Sequence, residues 1–141
     1  TLLMRPLMPA AGTLTRRAPS ENERRDMAFG FRMAKEIGRL DVGQTAVVKG
    51  MAVMALEAIE GTDACIRRGG KLARGGAVVV KVAKPEQDRR FDVPAVGVTT
   101  VESMIEAGAT ALAIEAEHTL LVDRAQTIAL AEAHDITIVA M

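Results

Sequence analysis

Two charged stretches of this 141-residue sequence combine side chains that could do chemistry. The first is Glu57-Ala58-Ile59-Glu60-Gly61-Thr62-Asp63. It falls where a strand-like run hands over to a helix-like one, and open α/β sheets bind ligands outside the carboxyl ends of their strands. Glu57, Glu60 and Asp63 form an all-oxygen set able to hold a hard divalent cation. Gly61 lets the backbone approach a ligand closely, and the helix start at Thr62 offers unpaired amides to an anion. The competing reading is a helix cap with solvated acids. The second stretch runs from Lys81 through Lys84-Pro85-Glu86-Gln87-Asp88-Arg89-Arg90 to Asp92, directly after an apolar β-branched run. Its cations can neutralise spreading negative charge and its carboxylates can hold a metal or orient water, the needs of phosphoryl chemistry. The competing reading is a solvated charged loop.

Other sites are poorly supported. Lysine plus arginine and aspartate plus glutamate balance at 18 each, so no basic field draws in nucleic acid or anionic lipid. Aromatic residues are 2% of the chain, with no Trp or Tyr, which leaves no platform for stacking bases. Cys65 is the sole cysteine, so no disulfide forms within the chain, and it is expected to pack as a small apolar residue. The histidines at 118 and 134 are isolated, unlike zinc ligands. No apolar run reaches the roughly 20 residues of a membrane span, and Arg5-Pro6 interrupts any leader-like start. Met51 and Met54 read as core filler. The first residue is Thr1, and the chain is expected to be part of a longer protein.

The elements that must position these residues alternate. Residues 1–18, with Pro6, Pro9 and Gly12, read as a linker. Ser20 and Glu23 have the spacing of a capping box and predict a helix to about Gly38, with Met27, Phe31, Ala34 and Ile37 on its buried stripe. Thr45–Lys49 and Ala52–Glu57 predict a hairpin around Gly50. Thr62 is expected to cap a short helix ending at Gly69-Gly70. Ala77–Val82 reads as a strand buried on both faces. Residues 83–97 show no period. A helix capped near Thr99-Thr100 closes at Gly108, a strand covers Ala111–Ala116, Asp123 and Gln126 cap a helix to His134, and Ile136–Ala140 is a last strand. This order predicts an α/β layered sandwich with a mixed, largely parallel β-sheet flanked by helices.

Arg17-Ala18-Pro19-Ser20-Glu21, Leu40-Asp41-Val42-Gly43-Gln44, Glu57–Asp63 and Lys81–Asp92 occur in an order and spacing that resembles the C-terminal domain of the LpxI family. The resemblance covers Arg17 to Met141. It implies a domain at 19–141 that works with a missing N-terminal domain, whose end would lie within residues 1–18. It also implies hydrolysis of the pyrophosphate bond of UDP-2,3-diacylglucosamine to UMP and 2,3-diacylglucosamine 1-phosphate (lipid X), a step of lipid A synthesis in Gram-negative bacteria that uses Mg²⁺ or another divalent cation. The family's catalytic aspartate carries over to Asp88. Glu57, Glu60 and Asp63 are then the candidate metal ligands, and Thr62, Lys81, Lys84, Gln87 and Arg90 the candidate substrate-binding residues. Glu57, Glu60, Asp63 and Asp88 are expected to converge at one edge of the sheet. The implied setting is cytoplasmic, at the surface of the inner membrane without spanning it, and it leaves room for a homo-oligomer. The alternative function is a noncatalytic nucleotide-sugar or lipid-binding module.

Overall fold

A computed structural model describes residues 7–85 and 93–141. Helix α1 spans Glu21–Arg39 and starts as its sequence predicts. The Glu23 amide donates to Ser20 Oγ at 3.1 Å, and the Glu23 carboxylate accepts from the Ser20 amide at 2.8 Å. Met27, Ala34 and Ile37 are buried along its inner face.

Strands β2 (Thr45–Lys49) and β3 (Ala52–Leu56) form the expected antiparallel hairpin. Gly50 and Met51 turn it with φ of 59° and 62°, the doubly left-handed pattern of a tight hairpin. Asp26 on α1 accepts from both turn amides, at 3.1 and 2.7 Å, which offsets the strain at Met51. Met51 therefore sits exposed at the hairpin tip and not in the core, whereas Met54 packs against buried residues.

Helix α2 spans Thr62–Ala73 and departs from expectation at both ends. Its N-cap is Gly61, with no side-chain cap, so Thr62 is the first helical residue. The helix runs through Gly69-Gly70 and stops at Arg74, which adopts the left-handed conformation. Both glycines answer to packing. A Cβ on Gly69 would lie 2.5 Å from Val47 Cβ, and one on Gly70 would lie 2.6 Å from the Ala107 carbonyl oxygen. Their missing side chains let α2 press onto the sheet and onto the next helix.

Strand β4 (Val78–Lys81) is followed by β5 (Ala95–Val96), α3 (Val98–Ala107), β6 (Ala111–Ile114), β7 (Leu120–Leu121), α4 (Arg124–Ala133) and β8 (Thr137–Ala140). Gly97, not a threonine, is the N-cap of α3; its amide donates to Thr100 Oγ1 at 3.2 Å, and Gly108 ends the helix as predicted. At α4, Asp123 is left-handed and makes no cap bond. The Thr127 hydroxyl instead donates to the Val122 carbonyl at 2.7 Å. Gly12–Thr13, inside the stretch expected to be a linker, forms β1 and pairs with β8.

The main sheet has the order β1-β8-β6-β4-β2-β3. Its centre, β8-β6-β4, is parallel, and antiparallel pairs flank it on both sides. Val78 and Val80 face a core shared with α1, while Val79 faces the core under α2 and α3, as the two-residue period of a strand requires. The result is the mixed, layered α/β sandwich, with α1 on one face and α2, α3 and α4 on the other.

Candidate functional site at the carboxyl edge of the sheet

Strands β3 and β4 are each antiparallel to β2, so they point the same way; β6 and β8 are parallel to β4. The segments leaving these strands all emerge at one edge. The chain entering β2 arrives there too, since Thr45 pairs with Lys81. Gln44, Glu57, Thr62, Asp63, Lys81, Lys84 and Glu115 are thereby gathered by topology alone. This is the carboxyl edge at which α/β sheets bind ligands.

Lys81 lies at the centre. Burial pushes its ammonium pKa down from the ordinary lysine value, while Glu57 and Asp63 pull it back up. Its Nζ donates to the Ala95 carbonyl at 3.0 Å. The Glu57 carboxylate accepts from the Gln44 amide at 3.2 Å, and the Glu57 amide donates to the Thr45 carbonyl at 2.9 Å. This contact needs Gly43, where an added Cβ would collide with the Glu57 carbonyl group. The hydroxyls of Thr62 and Thr45 lie 3.3 Å apart.

Glu60 reaches the same edge but is engaged by Arg68, whose Nε donates to it at 3.1 Å. That hydrogen bond holds the Glu60 carboxyl below the usual carboxylate range. Arg68 also donates to the Leu56 carbonyl at 2.8 Å, which ties the Glu57–Asp63 turn to α2. Lys84 Nζ meets Asp41 at 2.7 Å. Asp88, Gln87 and Arg90 lie outside the described residues. The described chain on either side of them, Lys84-Pro85 and Ala95, borders α1 and Lys81 at this edge.

Among the described residues, no three His, Cys, Asp or Glu side chains are grouped to hold a metal ion. Glu57 and Asp63 share the field of Lys81, and Glu60 is committed to Arg68. Cys65 is buried as expected, and burial pushes its thiol up to about 12, so it offers no thiolate.

Sequence reasoning assigned no role to Gln44, Lys35 or Glu115. Gln44 exchanges both bonds with Val82: the Val82 amide donates to its carbonyl at 2.9 Å, and its side-chain amide donates to the Val82 carbonyl at 3.1 Å. Lys35 and Glu115 pair at 2.5 Å beside Ala83. Glu115 directly follows β6, so the carboxyl-end rule could have found it.

A cavity of about 550 Å³ opens at the opposite edge, lined in part by Arg17, Glu23, Asp26 and Lys49. Its charges serve the fold. Arg17 pairs with Glu23 at 3.0 Å and donates to the Thr110 carbonyl at 2.8 Å, and Asp26 holds the hairpin turn. The Arg17–Glu21 motif is thus accounted for structurally, away from the carboxyl edge.

The family described as the LpxI C-terminal domain matches residues 10–139. A protein of Caulobacter vibrioides named UDP-2,3-diacylglucosamine pyrophosphatase LpxI is 40% identical over 129 residues, covering 86% of this chain. The chain spans under half of that relative's own length, 46%.

Proposed function

The chain belongs to the LpxI C-terminal domain family, and from that membership we propose that the protein carrying it hydrolyses the pyrophosphate bond of UDP-2,3-diacylglucosamine. The observation that carries the reading is the 40% identity to a UDP-2,3-diacylglucosamine pyrophosphatase across most of the chain. In the reaction a water oxygen bonds to one phosphorus as the bridging P–O bond breaks. The products are UMP and 2,3-diacylglucosamine 1-phosphate, and one proton is released.

The geometry suits that chemistry. A diphosphate resists water because its negative oxygens repel a nucleophile, and a partly desolvated cation opposes that repulsion strongly. Lys81 is such a cation; Asp63, whose charge acts on it, stands in the first turn of α2, where Thr62 and the leading amides can donate to phosphate oxygens. Lys84, Gln87 and Arg90 are the further candidates for the phosphates and the uridine. Asp88 is the proposed catalytic residue, orienting the water. Glu57 and Asp63, joined by a carboxylate from residues 86–92, are the candidate ligands for Mg²⁺; Glu60 would have to leave Arg68 to join them. The ion would neutralise charge on the diphosphate.

Leu40, Val42 and Ile59 are 60%, 47% and 102% exposed in the segments that border this edge. They offer apolar surface suited to acyl chains or to the remainder of the longer protein. No described helix is long and apolar enough to cross a membrane. We place the activity in the cytoplasm, on lipid presented at the inner membrane surface.

The test is UMP release by the full-length protein from UDP-2,3-diacylglucosamine, with Mg²⁺ and after chelation. Release that stops on chelation and returns with Mg²⁺ is expected. Absence of UMP with any divalent cation would overturn the reading; release untouched by chelation would remove the cation alone.

A further inference from the structure

The chain leaving β4 is gripped residue by residue. Val82 is bonded on both its amide and its carbonyl by Gln44. Ala83 is held the same way by two charged side chains from different elements. Its amide donates to Glu115 Oε1 at 3.0 Å, and its carbonyl accepts from Lys35 Nζ at 3.0 Å. Lys35 and Glu115 are themselves paired at 2.5 Å, and both are shielded, with side chains 34% and 15% exposed. Lys84 then meets Asp41. A surface ion pair alone contributes little to stability. This one is arranged differently: the cation takes the carbonyl and the anion takes the amide of a single residue, which fixes the two peptide planes on either side of its Cα. Charge-assisted bonds of this kind are about twice as strong as neutral ones.

We infer that Lys35 and Glu115 are positioning residues for the proposed hydrolysis: by clamping both polar groups of Ala83 they set the path of the chain from Lys81 into Lys84-Pro85, and so the placement of the two lysines proposed to meet the diphosphate. The inference rests on the proposed activity. Neither side chain is asked to touch substrate. Small misplacements of reacting groups carry large rate costs, on the order of 100-fold for 1 Å. Fixing the backbone at this one residue is therefore a way for α1 and the segment after β6 to control the rate without joining the chemistry.

The test separates the clamp from the ion pair. In the exchange variant Lys35→Glu/Glu115→Lys the two charges still attract, but a glutamate cannot donate to the Ala83 carbonyl and a lysine cannot accept from its amide. In the full-length protein, assayed well below the unfolding midpoint because two charge-assisted bonds are lost, kcat for UMP release is expected to fall roughly 10–100-fold. Lys35→Arg, which can still donate, is expected to keep most of the rate. Should the exchange variant fail to fold, Lys35→Gln against Lys35→Met makes the same comparison, because only the amide can reach the carbonyl as a donor. Wild-type kcat in the exchange variant, or equal rates for Lys35→Gln and Lys35→Met, would overturn the inference and leave the activity standing. A wild-type protein that releases no UMP would overturn the proposed function, and the inference with it.

Discussion

Replacing Gly69 by alanine sets two known effects against each other. In a helix interior alanine is favoured over glycine by about 0.8–1.0 kcal/mol. If Gly69 were a free helix position, Gly69→Ala would stabilise the chain by about that amount. In the structure a Cβ there would stand 2.5–2.8 Å from Val47 Cβ, Cγ1 and Cγ2, well inside ordinary carbon contact. Val47 cannot retreat easily, because it is fully buried on β2, between β4 and β3, and its branched side chain is stiff. Overpacking of this kind costs about 1–3 kcal/mol. The net expectation is a loss of roughly 0–2 kcal/mol after the helix gain is subtracted, with the upper half favoured because three atoms of one rigid side chain are struck. Gly70→Ala should cost more, since its obstacle includes the Ala107 backbone at 2.6 Å, which cannot rotate away. Urea unfolding followed by circular dichroism reads both. With a slope of about 1–3 kcal/mol per molar, a loss of about 1.5 kcal/mol moves the midpoint down by about 0.5–1.5 M. A midpoint for Gly69→Ala above wild type, or Gly70→Ala milder than Gly69→Ala, would refute the close-packing account of α2.

Three further outcomes are expected. Asp88→Ala in the full-length protein should lower kcat by on the order of 100-fold or more while leaving KM nearly unchanged, read by steady-state UMP release, because the role proposed for Asp88, orienting water, acts on the chemical step and not on binding. Lys81 has its pKa lowered from 10.5 by burial, so its charge is lost at lower pH than for an ordinary lysine; the alkaline limb of the rate should begin below 10.5 and move upward in Lys81→Arg. Burial works against the Glu23 carboxylate, yet Arg17 and the Ser20 amide outweigh it and hold its pKa below 4.5. A group so depressed stabilises the fold above its unfolded value and loses that contribution as pH falls through the folded one. The advantage of wild type over Glu23→Gln should accordingly be full at pH 7 and shrink below about pH 4.5, as urea midpoints at several pH values would record.

The sequence was most readable where a local pattern determines the local structure. Ser20 and Glu23 close their capping box, the Gly50 hairpin forms, and Val78–Lys81 is a strand whose three valines are buried on both faces, as the β-branched run suggests. It misled where a residue answers to a distant partner. Gly69-Gly70 has the grammar of a helix stop, but Val47 and Ala107, remote in sequence, require the glycines inside the helix. Strands β1, β5 and β7 have two residues each, too few to show a period, and exist because β8 and each other supply the pairing. Reading strand ends placed Glu57, Glu60 and Asp63 at the carboxyl edge of the sheet, and Asp88, expected beside them, lies outside the described residues. The partners that restrain this edge did not follow from that reading: Arg68 for Glu60, Gln44 for Val82, and Lys35 with Glu115 for Ala83. Each links elements whose adjacency only the strand order reveals.

The central claim is that this domain belongs to an enzyme that splits a diphosphate between its two phosphorus atoms. Phosphorus NMR of UDP-2,3-diacylglucosamine with the full-length protein and Mg²⁺ tests it most directly. The account predicts that the two diphosphate resonances disappear together while two phosphomonoester resonances, those of UMP and 2,3-diacylglucosamine 1-phosphate, grow in equal amount. Persistence of the diphosphate pair at high enzyme concentration, or loss of only the sugar to leave intact UDP, would contradict it.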